Sequence, residues 1–168
     1  VLIFPLFMPQ LPGVNNGQVR VAMMDVGQGL SVLLQTAEHS MLYDTGAGIA
    51  GGFSRGQSTV VPALRARGIQ ALDKVVISHE DNDHAGGFEA VRAALEIRRT
   101  DSPEPMALPN AGSCRAGQAW NWDGVDFEYI WPIEPLSDYD NDRSCVLLVK
   151  TRTQRLLLTG NTQDRSLS

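Results

Sequence analysis

The first part of the chain alternates short apolar runs with glycine-rich or polar breaks. Apolar runs occupy residues 19–26, 31–36 and 40–43, and the breaks between them are Gly27-Gln28-Gly29 and Glu38-His39. Runs of this length bounded by such breaks are typical of β-strands, and their close succession predicts an antiparallel meander. His39 falls in the second break, where we expect it to be exposed in a turn.

A helix and a buried strand are predicted next. Residues 59–67 follow Ser58, a candidate N-cap, carry Pro62 in their first turn and end directly before Gly68. Proline near the start and glycine after the end are characteristic of α-helices. The apolar run that follows at residues 74–78 predicts a buried strand.

The second part of the chain predicts one more helix and three more strands. A helix is indicated at residues 89–98, because Phe88, Val91 and Leu95 recur at near-helical spacing. Residues 101–121 are rich in proline and glycine, and we expect mostly loop there. The last three predicted strands lie at residues 125–131, 145–151 and 155–158. This order of strands and helices predicts a mixed α/β fold, layered in the α+β manner.

Length and composition fit one globular domain. The chain has 168 residues, of which 43% are hydrophobic and 20% are charged, and these values exclude a disordered, collagen-like or coiled-coil chain. The net charge of −5 argues against a general nucleic-acid coat protein, which needs many lysine and arginine contacts to phosphates. An enzyme that meets nucleic acid only at its active site is compatible with this charge.

Seven of the first nine residues are apolar. This run is far shorter than the ~20 residues of a membrane-spanning helix. Because it has no initiator methionine and no basic segment, it does not indicate a signal peptide. A buried first strand and the trailing end of a membrane segment both remain open. Prolines and glycines at residues 9–17 predict a linker and turn, so we assign residues 1–17 to a membrane-exit or linker segment and residues 18–168 to the domain.

Four side chains that commonly bind metals fall within six residues directly after the predicted buried strand: His79, Asp81, Asp83 and His84. A buried cluster of carboxylates without a cation is destabilised by like-charge repulsion and desolvation. We expect an irregular loop at the strand end to turn these side chains towards one point. Mixed histidine and aspartate ligands favour zinc, manganese or iron over calcium. A solvated acidic loop with two incidental histidines is the alternative.

The pattern from His79 to Gly87, His-x-Asp-x-Asp-His-x-Gly-Gly, resembles the metal-binding signature of the metallo-β-lactamase superfamily, in the variant with aspartate in place of the usual second histidine. Further blocks, in order along the chain, resemble the C-terminal domain of ComEC-type DNA-internalisation competence proteins. These blocks are Asp25-Val26-Gly27-Gln28-Gly29, Tyr43-Asp44-Thr45-Gly46, Asn141-Asp142-Arg143-Ser144-Cys145 and Leu157-Leu158-Thr159-Gly160. The resemblance covers roughly residues 18–163.

The resemblance implies a four-layer αββα metallo-β-lactamase sandwich that is incomplete here at the C-terminus. It also implies the soluble domain of a cytoplasmic membrane protein, on the extracellular or periplasmic side, which favours the membrane-segment interpretation of the N-terminus. The implied partners are DNA, single-stranded during uptake, the membrane channel domain of the same protein, and the competence machinery. On that side of the membrane Cys114 and Cys145 can form a disulfide if their Cα atoms lie within ~7 Å.

The resemblance further implies up to two divalent metal ions, manganese or zinc. His79 and Asp81 would hold one ion, and Asp83 and His84 the second. Asp83 and His84 are also the expected catalytic residues. Asp44 is expected to orient a histidine or brace its loop, and a turn residue that bonds local amides is an equal alternative.

Three further polar residues carry expectations from the same resemblance. Asn141 and Asp142 lie where the family's asparagine-rich segment replaces a superfamily histidine. One of them would contact metal or substrate, and a solvated turn is the alternative. Asn161 stands where the family has an aspartate that bridges two metals. Because a neutral amide supplies no bridging charge, we expect the second metal to bind less well. The family's next histidine-bearing segment would follow beyond Ser168.

The implied activity is hydrolysis of phosphodiester bonds in the DNA strand that is not imported, in which bound metal lowers the pKa of water and stabilises phosphoryl charge. Two alternatives remain open: another hydrolase of this fold, acting on esters, thioesters or lactams, and a non-catalytic module that binds DNA at the channel. Gly86 and Gly87 would let backbone approach a phosphate or metal, or would simply end the loop. We expect Trp120, Trp122 and Trp131 in the core rather than stacked on bases.

Overall fold

A computed structural model describes residues 12–49, 52–105, 108, 111–133 and 143–160. The predictions for the first nine residues and for Asn141, Asp142 and Asn161 lie outside these ranges. Among the described helices, none has the length and apolar character to cross a membrane.

The described elements are short strands with a few short helices. In chain order the strands are β1 (Arg20–Met23), β2 (Val32–Gln35), β3 (Ser40–Tyr43), β4 (Ala71–Leu72), β5 (Lys74–Val76), β6 (Glu96–Ile97), β7 (Thr100–Ser102), β8 (Ala111–Ser113), β9 (Ala119–Trp122), β10 (Val125–Trp131), β11 (Val146–Lys150) and β12 (Arg155–Leu158). The helices are a π-helical turn (Gly56–Val60) that continues into α1 (Val61–Ala66), then α2 (Asn82–Ala85) and α3 (Phe88–Ala94).

Two sheets carry the fold. The first has the strand order β1-β2-β3-β5-β7-β8 and the second has the order β12-β11-β10-β9, while β4 and β6 form a short parallel pair. As predicted, β1, β2 and β3 form an antiparallel meander. From β3 onwards the first sheet is parallel through β5, β7 and β8. The carboxyl ends of these four strands therefore lie at one edge of the sheet.

Alternation along the strands of the first sheet builds a core on each of its faces, because successive side chains point to opposite sides. One set packs on α1 and α3: Leu33, Leu42, Val75 and Ile77. The other set packs on the second sheet: Val32, Leu34, Met41, Tyr43 and Val76. The described residues thus form three layers, helix, sheet and sheet, which correspond to three of the four layers of the predicted αββα sandwich. Within the described ranges there is no second helical layer.

A buried ion pair within the first sheet contacts side chains of the second sheet. Nζ of Lys74 in β5 lies 2.7 Å from Oδ2 of Asp101 in β7, and the hydroxyl of Tyr129 in β10 donates to the same oxygen at 2.9 Å. Nζ of Lys74 lies 3.7 Å from the ring centroid of Trp120. Burial lowers the pKa of Lys74 against the opposing effect of Asp101.

The three tryptophans do not all lie in the core. Trp120 and Trp122 pack against the apolar layer between the sheets, as predicted. Trp131 is 36% exposed at the end of β10, so its predicted core position is wrong. His39 lies in the predicted turn between β2 and β3 with its side chain 34% exposed, and its ring stacks on Trp122 with the centroids 4.8 Å apart. His39 Nδ1 lies 3.0 Å from Oδ2 of Asp123.

The first predicted helix begins earlier than the sequence indicated. It starts with a π-helical turn at Gly56, so Ser58 lies inside the turn and does not cap the helix. Gly68 follows the helix with a φ of 75°, the left-handed conformation that ends helices and favours glycine.

The second predicted helix, residues 89–98, is too long at its C-terminal end. It ends at Ala94, and Leu95 is extended with φ −138° and ψ 152°. Residues Glu96–Ile97 then pair with Ala71–Leu72 as strands. The apolar residues at helical spacing therefore continue past the helix, because Leu95 already belongs to the extended segment that enters β6.

The stretch at residues 101–121, predicted as mostly loop, also contains strand residues of β7, β8 and β9, which were not predicted. Thr100, Asp101 and Ser102 of β7 are buried although all three are polar. The same region carries one partner of a disulfide: Cys114, after β8, is bonded to Cys145, before β11, with their Cα atoms 5.9 Å apart. The bond ties the first sheet to the second near the sheet edge described above.

Candidate metal centre

Parallel pairing of β3 and β5 brings two sequence blocks together. Tyr43 lies opposite Val76, so Asp44, which follows β3, meets Ser78 and His79, which follow β5. The N–H of Asp44 donates to the carbonyl oxygen of Val76 at 2.8 Å. The site therefore lies at the carboxyl edge of the parallel strands, where open α/β sheets commonly bind ligands.

Three candidate ligands converge at this edge. Ligand atoms of His79, Asp83 and His84 all lie within 4.8 Å of one another. Oδ2 of Asp81 lies 3.3 Å from Nε2 of His79. The side chains of His79 and His84 are only 2% and 9% exposed, whereas those of Asp81 and Asp83 are 51% and 30% exposed. The cluster is thus anchored by buried imidazoles and opens to solvent on its carboxylate side.

The segment that carries these ligands is not the irregular loop predicted from the sequence. Residues Asn82–Ala85 form the single turn of α2, and Asp81 is its N-cap residue. The carbonyl oxygen of Asp81 accepts the N–H groups of His84 and Ala85, both at 2.9 Å. This turn brings His84 back towards His79, so that their ring centroids lie 4.0 Å apart.

Asp44 forms hydrogen bonds that hold His84 and Ser78 in place. Its Oδ2 lies 2.7 Å from Nδ1 of His84 and accepts the hydroxyl of Ser78 at 2.7 Å. Its Oδ1 accepts the N–H of Ser78 at 2.6 Å. Asp44 is fully buried and has a φ of 59°, a left-handed conformation that is uncommon outside glycine and that marks many functional sites.

These hydrogen bonds fix the tautomers of both histidines. A carboxylate only accepts hydrogen bonds, so Nδ1 of His84 carries the proton that Asp44 accepts. Because Ser78 donates its one hydroxyl proton to Asp44, Nδ1 of His79, 2.9 Å from Ser78 Oγ, donates to Ser78. In neutral histidine this arrangement leaves the lone pair on Nε2, the atom that binds metal in such sites.

The two histidines differ in their proton affinity. Burial lowers the pKa of His79, and the nearby His84 lowers it further against the opposing carboxylates. Burial also lowers the pKa of His84, but the hydrogen bond and charge of Asp44 outweigh it, so the pKa is raised overall. His79 is therefore readily neutral, and a cation at His84 competes with a proton.

Gly29, the last residue of the block at residues 25–29, packs against the turn that carries the candidate ligands. Its φ is 109°, and a Cβ added there would overlap the carbonyl oxygen of Asp83. The next residue, Leu30, donates its N–H to that carbonyl at 3.3 Å. Glycine at this position lets one loop close against the turn that carries Asp83.

Gly86 and Gly87 serve backbone packing. A Cβ on Gly86 would overlap the backbone of Gly48, and one on Gly87 would overlap the carbonyl oxygen of Thr45. Thr45 in turn contacts the ligand turn, because its hydroxyl donates to the carbonyl oxygen of His84 at 2.9 Å. These contacts favour the structural interpretation of the two glycines over a phosphate-binding one.

The structure brings together five of the predicted site residues: Asp44, His79, Asp81, Asp83 and His84. The group that converges differs from the predicted ligand pairs. His79 was paired with Asp81 in the prediction, whereas here its ligand atom lies close to those of Asp83 and His84. The roles of Asn141, Asp142 and Asn161 stay predictions, because these residues lie outside the described ranges.

Two contributors were not predicted as part of the site. Ser78 connects Asp44 to His79, and its position directly before His79 was the only sequence signal. Gly160 packs on the same two residues, because a Cβ there would lie 2.6 Å from Ser78 Oγ and 3.0 Å from His79 Nδ1.

The residues present fit a divalent cation. Nε2 of His79 is buried and makes no hydrogen bond within the described part of the chain, which is costly for a polar atom unless another partner satisfies it. Two Nε2 lone pairs and at least one carboxylate form the nitrogen and oxygen donor set that zinc and manganese accept.

The chain belongs to the metallo-beta-lactamase superfamily, whose family model matches residues 24–160. It is 41% identical over 162 residues to Competence protein ComA of Neisseria gonorrhoeae, covering 96% of this chain and 22% of the relative. It is 36% identical over 152 residues to Recombination protein 2 of Haemophilus influenzae, covering 88% of this chain and 19% of the relative. The predicted resemblance is therefore confirmed, and the chain spans about a fifth of these relatives.

The fold is also found in solved structures. A metallo-beta-lactamase with a HARLDQ motif from Cronobacter sakazakii superposes with a TM-score of 0.62 at 19% identity, covering 91% of this chain and 66% of that chain. At this identity the likeness defines the fold and leaves the substrate open. The predicted fold class, a metallo-β-lactamase sandwich, is confirmed.

Proposed function

We propose that this chain is the metal-dependent nuclease domain of a competence DNA-uptake channel protein, and that it hydrolyses phosphodiester bonds of the DNA strand that is not imported. The observation that carries the proposal is the convergence of His79, Asp83 and His84 above a buried Asp44. The names of the relatives in Neisseria gonorrhoeae and Haemophilus influenzae support DNA as the substrate.

The buried side chains hold the site and the exposed ones face the substrate. His79, Asp83 and His84, with Asp81 beside them, would hold a divalent cation, which when bound activates water and stabilises charge on phosphoryl oxygens. Asp44 and Ser78 keep both imidazoles in the required orientation, so little rearrangement is needed on binding. The carboxylate of Asp83, 30% exposed, lies where it can accept a proton from an approaching water.

The proposed partners follow from the same relatives. They are DNA, single-stranded during uptake, the membrane channel domain of the same protein, and the competence machinery. The whole protein would lie in the cytoplasmic membrane, with this domain on the extracellular or periplasmic side. The disulfide between Cys114 and Cys145 supports that side, because disulfides persist in oxidising compartments. Two bound divalent cations would offset most of the net charge of −5 and ease the approach of DNA.

The test is cleavage of a labelled single-stranded oligonucleotide with manganese or zinc, with nitrocefin as the competing substrate. We expect cleavage of DNA and no turnover of nitrocefin. Asp83→Asn should abolish cleavage, whereas Asp126→Asn, which removes the same charge from an exposed position of β10, should retain it. Asn161→Asp should increase the rate by restoring the carboxylate of the family pattern.

The other outcomes separate the alternatives. Turnover of nitrocefin without cleavage of DNA would favour another hydrolase of this fold. Binding of the oligonucleotide without cleavage by the metal-loaded chain, with or without Asn161→Asp, would favour a non-catalytic DNA-binding module. Either result would overturn the nuclease proposal.

A further inference from the structure

A small cleft adjoins the metal cluster on its solvent side. Its volume is ≈ 50 Å³, room for groups the size of one or two water molecules at about 30 Å³ each. The described residues that line it are His79, Glu80, Asp81, Pro103, Glu104 and Arg143. The cleft therefore joins two predicted metal ligands, His79 and Asp81, to residues from two other parts of the chain.

Sheet topology explains why these residues meet. Because β5 and β7 are parallel, Glu104, which follows β7, lies at the same edge as His79, which follows β5. The N–H of Glu104 donates to Oγ of Ser102 at 3.2 Å, which holds the turn after β7. Arg143 reaches this turn from the segment before β11, and its Nη1 forms an ion pair with Oε1 of Glu104.

The disulfide fixes both sides of the cleft. Cys114 donates its N–H to the carbonyl oxygen of Ser102 at 3.1 Å, two residues before Glu104. Its bonded partner, Cys145, lies two residues after Arg143 and donates its N–H to the carbonyl oxygen of Ser78 at 2.8 Å. Arg143 is thereby tied to the strand end that carries His79, and its side chain keeps 21% exposure.

Among the described residues that line the cleft, acidic side chains outnumber basic ones. Glu80, Asp81 and Glu104 carry carboxylates, and among the described lining residues Arg143 is the one cationic side chain. A non-bridging phosphate oxygen of DNA that enters this cleft meets acidic groups and needs a cationic partner beside the metal cluster. A guanidinium suits this task, because its planar set of five N–H donors can bind Glu104 and a second oxyanion together.

We infer that Arg143 is a phosphate-binding residue, which donates to a non-bridging oxygen of the DNA backbone next to the metal cluster, and that Glu104 holds its guanidinium in place. This inference rests on the proposed nuclease function, since it assigns a phosphodiester to the same site. It adds a substrate contact from outside the metal-ligand motif. Arg143 binds substrate here and is not a metal ligand.

The experiment measures binding apart from cleavage. A labelled single-stranded oligonucleotide with phosphorothioate linkages, which resist hydrolysis, is titrated with the manganese-loaded chain and followed by fluorescence anisotropy. Arg143→Gln should weaken binding about tenfold or more, the usual effect of losing a charge-assisted hydrogen bond. The oligonucleotide affinity of Arg143→Lys should lie between those of Arg143→Gln and the unchanged chain, because a point charge replaces a two-pronged donor.

Arg92→Gln is the matched control. Arg92 lies on α3 and pairs with Glu89 at the surface, so its loss changes the net charge equally and should leave binding within about twofold. Manganese affinity, measured by calorimetry, should be the same in Arg143→Gln as in the unchanged chain, which separates loss of a phosphate contact from damage to the metal cluster. Arg143→Lys keeps the charge and guards against misfolding of the glutamine variant.

The two proposals fail differently. Equal oligonucleotide binding by Arg143→Gln and Arg92→Gln, or no binding by the unchanged chain, would overturn the inference. Cleavage of normal DNA with an unchanged KM in Arg143→Gln would also overturn it and leave the nuclease proposal intact. Binding that depends on Arg143 without any cleavage would support the phosphate-binding residue and overturn the nuclease proposal.

Discussion

Oδ2 of Asp44 lies 2.7 Å from Nδ1 of His84, and the same oxygen accepts the hydroxyl of Ser78 at 2.7 Å. One buried carboxylate thus controls both imidazoles of the cluster: His84 directly, and His79 through Ser78. The carboxylate itself comes from β3, so the pairing of β3 with β5 is what assembles the site.

Asp44→Asn should weaken metal binding. An amide can donate to Nδ1 of His84 and so favours the tautomer with its proton on Nε2, the atom needed by the metal. Loss of such a supporting carboxylate typically costs 10- to 100-fold, so we expect a decrease of about that size in zinc or manganese affinity by calorimetry. Asp73→Asn, which removes a carboxylate that pairs with Arg98, is the control. Equal affinities in both variants would contradict this role of Asp44.

Gly29→Ala should destabilise the fold and the cluster together. The added Cβ overlaps the carbonyl oxygen of Asp83, and the positive φ adds strain. Gly117→Ala is a matched control, because Gly117 has a φ of 88° with no atom within 4 Å of the added Cβ. Urea unfolding should give a loss of about 1 kcal/mol for Gly117→Ala, the strain alone, and a clearly larger loss for Gly29→Ala. Equal losses would mean that the loop after β1 moves freely away from Asp83.

The disulfide should contribute substantially to stability. It closes a segment with a sequence separation of 31 residues, and the loop-entropy relation gives about 3 to 4 kcal/mol for a segment of that length. The double variant Cys114→Ala with Cys145→Ala should unfold at correspondingly lower urea, as should the reduced chain. An unchanged urea midpoint would indicate that the packing between the sheets alone sets the position of Cys145.

Much of the fold was predictable because most of its strands are short apolar runs bounded by glycine-rich or polar breaks. The meander, the last three strands and the metal-ligand motif all follow from local pattern. β7 was missed because its residues Thr100, Asp101 and Ser102 are polar yet buried; Asp101 is neutralised there by Lys74 and Arg99. A strand whose buried polar side chains are balanced by ion pairs in this way carries no local apolar signal.

Only the part of the site that is contiguous in sequence was predicted as a set of metal ligands. The motif from His79 to His84 is contiguous, so its ligands were named from the sequence. Ser78 was missed as a link because its role depends on Asp44, which lies 34 residues away and meets it only through parallel strand pairing. Glu104 and Arg143 were likewise hidden, since a disulfide and two strand ends bring them together.

The hydrogen bonds of Asp123 predict that the free energy of unfolding depends on pH. Hydrogen bonds from Thr36, His39 and the N–H of Glu38 lower the pKa of Asp123 from 3.8 to about 2. A carboxyl whose folded pKa is lowered stabilises the fold above its unfolded pKa, and this contribution is lost as the pH falls through the folded pKa. The stability difference between the unchanged chain and Asp123→Asn should therefore be retained at about pH 5 and shrink as the pH falls towards 2. Urea unfolding across this range tests it, and a constant difference down to pH 2 would contradict the assignment.

The metal assignment is tested most directly by anomalous diffraction from crystals grown with manganese or zinc. We predict a peak bonded to Nε2 of His79, Nε2 of His84 and a carboxylate oxygen of Asp83, with Asp44 still bonded to Nδ1 of His84. A metal bound through Nδ1 of either ring, or bound elsewhere on the chain with this cluster empty, would contradict the assignment of this strand edge as the metal centre.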